Sequence, residues 1–219
     1  MKRRRRPVRP REGFTLIELV VALAITGVVV TGALAAVRLA GDSLRRARTA
    51  HVDALAAAAA RATLEGWLRA ATLHGDSAIF AGFSRTSGGL PRDELTFTIR
   101  DGGTLDPGPH RVRLRIDRDP TTPGQGLLAE LTPVGNGAAE GAETLELAPG
   151  AGGLEIRYYA RVEDRPQWLF AWDSADELPI AVEIRLLPPP RDVMRTAARP
   201  LLSPAWRIPL LVPVGGRVE

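Results

Sequence analysis

Gly13-Phe14-Thr15-Leu16-Ile17-Glu18-Leu19 opens the stretch that decides the architecture, and from Leu19 to Val37 the chain runs for 19 residues without a charge. With Phe14–Ile17 added, the run reaches the ~20 residues that cross a bilayer as a helix. Before it stand Lys2, Arg3, Arg4, Arg5, Arg6, Arg9 and Arg11 against the single Glu12. A basic cluster directly ahead of a spanning segment predicts a cytoplasmic N-terminus and an exported C-terminal bulk. Glu18 sits at the start of the apolar run, where a carboxylate is expensive and tends to be functional. Taken alone, it would rest equally well in the headgroup region. A cleaved secretory signal, ending at a small-residue site such as Ala33-Leu34-Ala35, and an uncleaved anchor are the two plain readings of the run.

The charge balance changes once the leader is set apart. Of 29 basic residues, seven lie in the first 13 positions, leaving 22 against 24 acidic ones in the remainder. Without its leader the chain is mildly acidic, so general attraction to nucleic acid has no support. The 219 residues, 45% of them hydrophobic, suffice for a real core. The absence of cysteine excludes disulfides, thiolate metal sites and a Cys nucleophile.

No proline occurs from Phe14 to Ala71, and Ala, Leu, Arg and Glu dominate. This predicts one helix of about 58 residues, roughly 85 Å long. Val52, Leu55, Ala59, Ala62, Leu64, Trp67, Leu68 and Ala71 recur at steps near three and four, which predicts one buried face. After His74-Gly75 the chain turns to short alternating runs: 94–100, 111–117, 127–132, 143–148, 154–161, 167–172 and 180–187. Turn signals such as Asp106-Pro107-Gly108 and Gly135-Asn136-Gly137 separate them. A last apolar segment, 206–214, carries Pro209 and Pro213 and reads as an edge strand. The expected fold class is α+β, a long N-terminal helix packed on an antiparallel β-sheet head. The expected segments are a cleaved leader at 1–13, a transmembrane half-helix at 14–38, a periplasmic half-helix at 39–73 and a β-rich head at 74–219.

Basic residues, then Gly13-Phe14-Thr15-Leu16-Ile17-Glu18 and an apolar helix, together resemble the type IV prepilin signal. The resemblance implies cleavage by a prepilin peptidase between Gly13 and Phe14, and N-methylation of Phe14. Glu18 lies one helical turn from the new amine, so in a bundle it can pair with the Phe14 amine of a neighbouring subunit. Such a pair removes the penalty of an unpaired buried charge and fixes axial register. The helix-plus-sheet plan fits type IV pilins and pseudopilins over the whole chain. Gly153–Tyr158, Trp168, Trp172 and Leu178–Leu186 are similar to the J-type minor pseudopilin of type II secretion.

That resemblance implies a non-enzymatic subunit of the inner membrane, with its head in the periplasm and no cofactor. It implies I- and K-type minor pseudopilins and the major pseudopilin as partners, in a tip complex that primes pseudopilus assembly for export of folded proteins. A minor pilin of a type IV pilus or DNA-uptake machine is the alternative, and a plainly anchored periplasmic binding module the more distant one. Tyr158, Tyr159, Trp168 and Trp172 are candidate partner contacts, because aromatics concentrate at interface hot spots. Part of that cluster is expected to fill the sheet core instead. His51, His74 and His110 are scattered, and no phosphate-binding or dinucleotide pattern is present. The acidic stretch Asp173–Glu177 reads as a solvated turn before it reads as a calcium loop.

Overall fold

The computed structural model describes residues 15–74, 78–100, 108–119, 121–135, 142–174, 176–189, 202–206 and 209–214. One helix, α1 (Leu16–Arg69), is followed by eleven strands among the described residues. They are β1 (Phe80–Phe83), β2 (Thr86–Ser87), β3 (Leu90–Pro91), β4 (Glu94–Ile99), β5 (His110–Asp117) and β6 (Gly126–Pro133). Then come β7 (Glu143–Ala148), β8 (Gly153–Val162), β9 (Arg165–Leu169), β10 (Ala181–Leu187) and β11 (Leu210–Pro213). This is the expected α+β class: a long apolar N-terminal helix and antiparallel sheets. The chain divides into two units, Met1–Thr49 and Ala50–Glu219. The boundary expected at 38/39 lies inside α1, and the helix from Ala50 onward groups with the strands.

In the first unit every described residue is exposed except the half-buried Gly41. In the second, α1 buries Ala57, Ala60, Leu64, Trp67 and Leu68. The buried face therefore differs from the expected one. Val52 and Leu55 are 62% and 58% exposed, and Ala59 and Ala62 also face outward. The run Ala56–Ala60 is apolar on every side, so it gives the stripe no direction. Only the large Leu64, Trp67 and Leu68 fix the facing. The helix stops at Arg69, which pairs with Glu65 one turn back. The next residues join the sheet at once: Ala71 bridges Ile99, and the Thr72 amide donates to the Thr98 carbonyl at 2.9 Å.

The head is built on two main sheets, a division the sequence reading did not make. Five strands run in the order β1-β4-β5-β6-β7 and four in the order β11-β10-β8-β9, all antiparallel, with β2 and β3 forming a small separate ribbon. Alternation explains the facing within each. On β5, His110, Val112 and Leu114 are buried while Arg111 and Arg113 are exposed. On β8, Leu154, Ile156, Tyr158 and Ala160 point inward. The β8–β9 hairpin turns on Glu163 and Asp164, both with positive φ of 49° and 62°. Two left-handed residues in a two-residue loop match the twist of the flanking strands. β11 lies at a sheet edge, as its prolines predict. Trp206 instead sits in a single 3-10 turn, Pro204–Trp206, with its ring buried.

The two sheets and the C-terminal end of α1 share one core. Three features join the sheets directly. Gly82 and Trp172 exchange backbone hydrogen bonds of 2.8 and 2.9 Å. Arg92 bridges Leu154 in parallel. Between these contacts lies Asp93, 2% exposed, whose carboxylate binds groups from both sides. Its Oδ1 accepts from the Ser84 hydroxyl at 3.0 Å and the Arg85 amide at 3.1 Å. Its Oδ2 accepts from the Ile156 amide on β8 at 2.8 Å, and its own amide donates to the Leu154 carbonyl.

Gly82 is where the approach is tightest. A Cβ there would lie 1.8 Å from the Tyr158 hydroxyl oxygen and 2.3 Å from the ring carbon bearing it. Tyr158 is a large, fully buried ring held among Phe80 and Trp172, so it has no room to withdraw. Gly82→Ala should therefore destabilise the head by about 3 kcal/mol, at the upper end of overpacking effects. Chemical unfolding followed by tryptophan fluorescence measures it, and a change within experimental error would show that the ring can move.

Candidate functional site

The first candidate site is the start of α1. Gly13 and Phe14, the residues of the expected cleavage and methylation, lie outside the described residues. Glu18 is described. The Glu18 and Leu19 amides donate to the Thr15 carbonyl at 3.1 and 3.3 Å, which makes Thr15 the N-cap and Glu18 the third helical residue. Thr-x-x-Glu is the sequence form of a capping box, and a carboxylate in the first turn suits the helix dipole. Glu18 is therefore compatible with its own helix end before any neighbour arrives.

The helix downstream is built to be covered. It is long and apolar enough to cross a membrane, and its apolar window is wholly unburied within the chain. Leu16, Ile17, Leu19, Leu23, Val28 and Val37 are each more than half exposed. Hydroxyls along it bond back to their own helix: Thr26 to the Ala22 carbonyl at 2.8 Å and Thr31 to the Gly27 carbonyl at 2.7 Å. No polar side chain between Leu19 and Val37 is thus left without a partner, as hydrocarbon requires. A Cβ placed on Gly27, Gly32 or Gly41 would meet nothing within 4 Å. Nothing among the described residues demands glycine there, whereas close helix–helix packing does favour small residues.

The second candidate site, Tyr158 and Tyr159 of β8, Trp168 of β9 and Trp172 just beyond it, separates into two pairs. Tyr158 and Trp172 belong to the core, at 1% and 7% exposure, with ring centroids 6.3 Å apart. Trp172 spends its indole N–H on the Glu177 carbonyl at 3.1 Å. Burial removes both as partner contacts. Tyr159 and Trp168 form the other pair, directly opposite in register, with centroids 5.1 Å apart on the outer face of the sheet. The Arg157 guanidinium lies 5.5 Å above the Trp168 ring and also pairs with Glu183. Leu211, 58% exposed, stands opposite Glu183 on the same face. The sequence reading missed Leu211, because period-two alternation does not reveal which strand will flank β10.

Among the described residues, Tyr158 carries the most strongly displaced acid. Burial, reinforced by the nearby Asp93 charge, pushes its phenol far above the ordinary value of 10.0. Its hydroxyl is buried and has no hydrogen-bond partner among the described residues. A raised folded-state value means that the neutral ring is stabilising below pH about 10 and that this contribution is lost as pH rises further. Alkaline titration should therefore show Tyr158 refusing to ionise until the head unfolds, so that its ultraviolet phenolate signal appears together with loss of the tryptophan signal. A phenolate signal from both tyrosines in the folded state would contradict this burial.

Among the described residues no group of three or more His, Asp or Glu side chains is placed to hold a metal. The 173–177 loop, apart from Ala175, which is outside the described residues, is organised by the Glu177 amide donating to the Ser174 hydroxyl at 3.2 Å.

No curated protein matches the chain. Residues 8–34 match the prokaryotic N-terminal methylation motif. The match begins in the basic N-terminal stretch and covers Gly13 and Phe14, the expected cleavage pair, together with Glu18 and most of the apolar run. A prepilin-type methylation motif, leading into a membrane-length helix and followed by an antiparallel β head, supports a type IV pilin-like protein.

Proposed function

We propose that this chain is a J-like minor pseudopilin of a type II secretion system. Prepilin peptidase cleaves between Gly13 and Phe14, and Phe14 is methylated. The apolar half of α1 then anchors the subunit in the inner membrane with its head in the periplasm. There it joins I- and K-type minor pseudopilins and the major pseudopilin at the tip of a short filament, and primes assembly for export of folded proteins. The role is structural, with no catalytic step and no cofactor. The observation that carries this reading is the methylation motif at 8–34 running straight into an uncovered apolar helix. The J-like assignment rests on the sequence of β8, the Trp-bearing hairpin and β10.

Mass spectrometry of the full chain, expressed with and without a prepilin peptidase, tests the first step. With the peptidase, the chain should begin at methylated Phe14; without it, at the uncleaved N-terminus. A start near Ala36, or an intact leader in both hosts, would refute the assignment. Deletion of the gene should then abolish export of folded proteins while leaving pilus retraction intact; the reverse pattern would make it a minor pilin.

A further inference from the structure

The outer face of β4, β5 and β6, together with the arm formed by β2 and β3, encloses a cleft of about 530 Å³ that the secretion reading does not use. Four arginines line it, Arg85, Arg92, Arg113 and Arg115, against two glutamates, Glu94 and Glu130. Three of the arginines are already committed. Arg85 and Arg113 share Glu94, at 3.2 and 2.9 Å. Arg113 also reaches Glu130 at 3.6 Å, and Arg115 binds Glu130 at 2.6 Å and Asp117 at 2.8 Å. The hydrogen bond to Asp117 outweighs burial and holds the Arg115 guanidinium above its ordinary value. Three carboxylates thus balance three guanidinium groups.

Arg92 is left over. Among the described residues it has no ion pair, and its Nε is buried without a hydrogen-bond partner. Its backbone is not free to carry it elsewhere. The Arg92 amide donates to the Arg85 carbonyl at 2.7 Å, the residue bridges Leu154, and the next residue is the buried Asp93. A guanidinium held in this way at the wall of the cleft, with no carboxylate of its own among the described residues, favours an anion that presents two oxygens in one plane. The adjacent Asp93 offsets the charge of Arg92 but spends both oxygens on Ser84, Arg85 and Ile156, so the guanidinium still lacks an acceptor, and a singly charged carboxylate matches it better than a phosphate dianion.

We propose that the cleft is a carboxylate-binding site anchored by Arg92. The carboxylate comes from an acidic side chain of another protein or from a small free carboxylate, both of which a cleft of this volume admits. The proposal stands independently of the secretion role.

The test uses full-length protein in detergent micelles, isotope-labelled at the arginine side chains and held at constant ionic strength. It is titrated with acetate and, separately, with an acetylated and amidated Ala-Glu-Ala peptide. The Arg92 Nε–H resonance, assigned through bonds in the unmodified protein, should move and saturate. Saturation with both, or with the peptide at lower concentration, identifies a protein side chain as the ligand. Saturation with acetate alone identifies a free carboxylate. Arg92→Gln, followed at the Arg113 resonance, should weaken binding at least about ten-fold, the loss expected for one charge-assisted pair. Absence of a saturable Arg92 shift with either probe would overturn the proposal. So would an identical response at Arg161, which lies outside the cleft, since that reports only general screening.

Discussion

Asp93→Ala should lower the stability of the head by about 3 kcal/mol, the upper end of the cost of leaving a buried donor without its acceptor. The substitution strips acceptors from the Ser84 hydroxyl, the Arg85 amide and the Ile156 amide at once. The Ile156 amide belongs to the second sheet and has no route to water at a fully buried position. An unsatisfied buried donor loses its hydration without compensation, which is why the effect exceeds that of an ordinary hydrogen bond. Asp93→Asn keeps one carbonyl oxygen and should lose less. Urea unfolding of the full-length protein in micelles, followed by tryptophan fluorescence, provides the measure. Equal stability of wild type and Asp93→Ala would mean that the sheets are held by apolar packing alone.

Glu18→Leu should leave insertion and the folded head intact, since Glu18 takes no part in the head's core. Its effect should fall on assembly. If the processed Phe14 amine of one subunit is buried beside another helix, removing its carboxylate partner leaves an uncompensated charge. The penalty of about 3 kcal/mol corresponds to roughly two orders of magnitude in association. Co-purification of the variant with the I- and K-type pseudopilins proposed as its partners should drop accordingly, while the proposed cleavage after Gly13 continues. Undiminished co-purification would confine Glu18 to capping its own helix. Because the capping position also favours a carboxylate, Glu18→Gln separates the two roles: it keeps an acceptor for the cap and removes the charge.

What the sequence made legible followed from periodicity. β5 and β8 alternate cleanly, and β4 through β8 and β10 fall within a residue or so of the expected runs. β1 escaped notice because Phe80-Ala81-Gly82-Phe83 is buried at three successive positions and so has no alternation. The two-residue strands β2 and β3 are too short for any pattern. The division into two sheets was invisible for a different reason. Turn residues announce where a strand ends, not which edge the next strand will join. At the candidate sites, the prepilin-type signal was readable because its chemistry is local in sequence. Asp93 was not, since its partners lie at 84, 85 and 156, and no spacing connects them. The aromatic cluster was half readable. Adjacent residues of a strand point to opposite faces, so Tyr158 and Tyr159 had to part company, but the face that would be covered depends on β1 and Gly82.

The order of the strands also sets a sequence of events in time. All five strands of the larger sheet lie between Phe80 and Ala148, and each of β4, β5, β6 and β7 lies beside the one before it. Contacts this local close quickly and can form on a chain still emerging from its N-terminus. At that stage β8 to β11 are missing, and Oδ2 of Asp93 has no Ile156 amide to meet. The carboxylate keeps its water, and the apolar side of the first sheet stays open. Arrival of β8 would expel that water and seat Tyr158 against Gly82, and β10 and β11 would then complete the core. A chain that stalls before Gly153 therefore carries an ordered sheet with an exposed apolar face, the kind of species on which a chaperone or a protease would act.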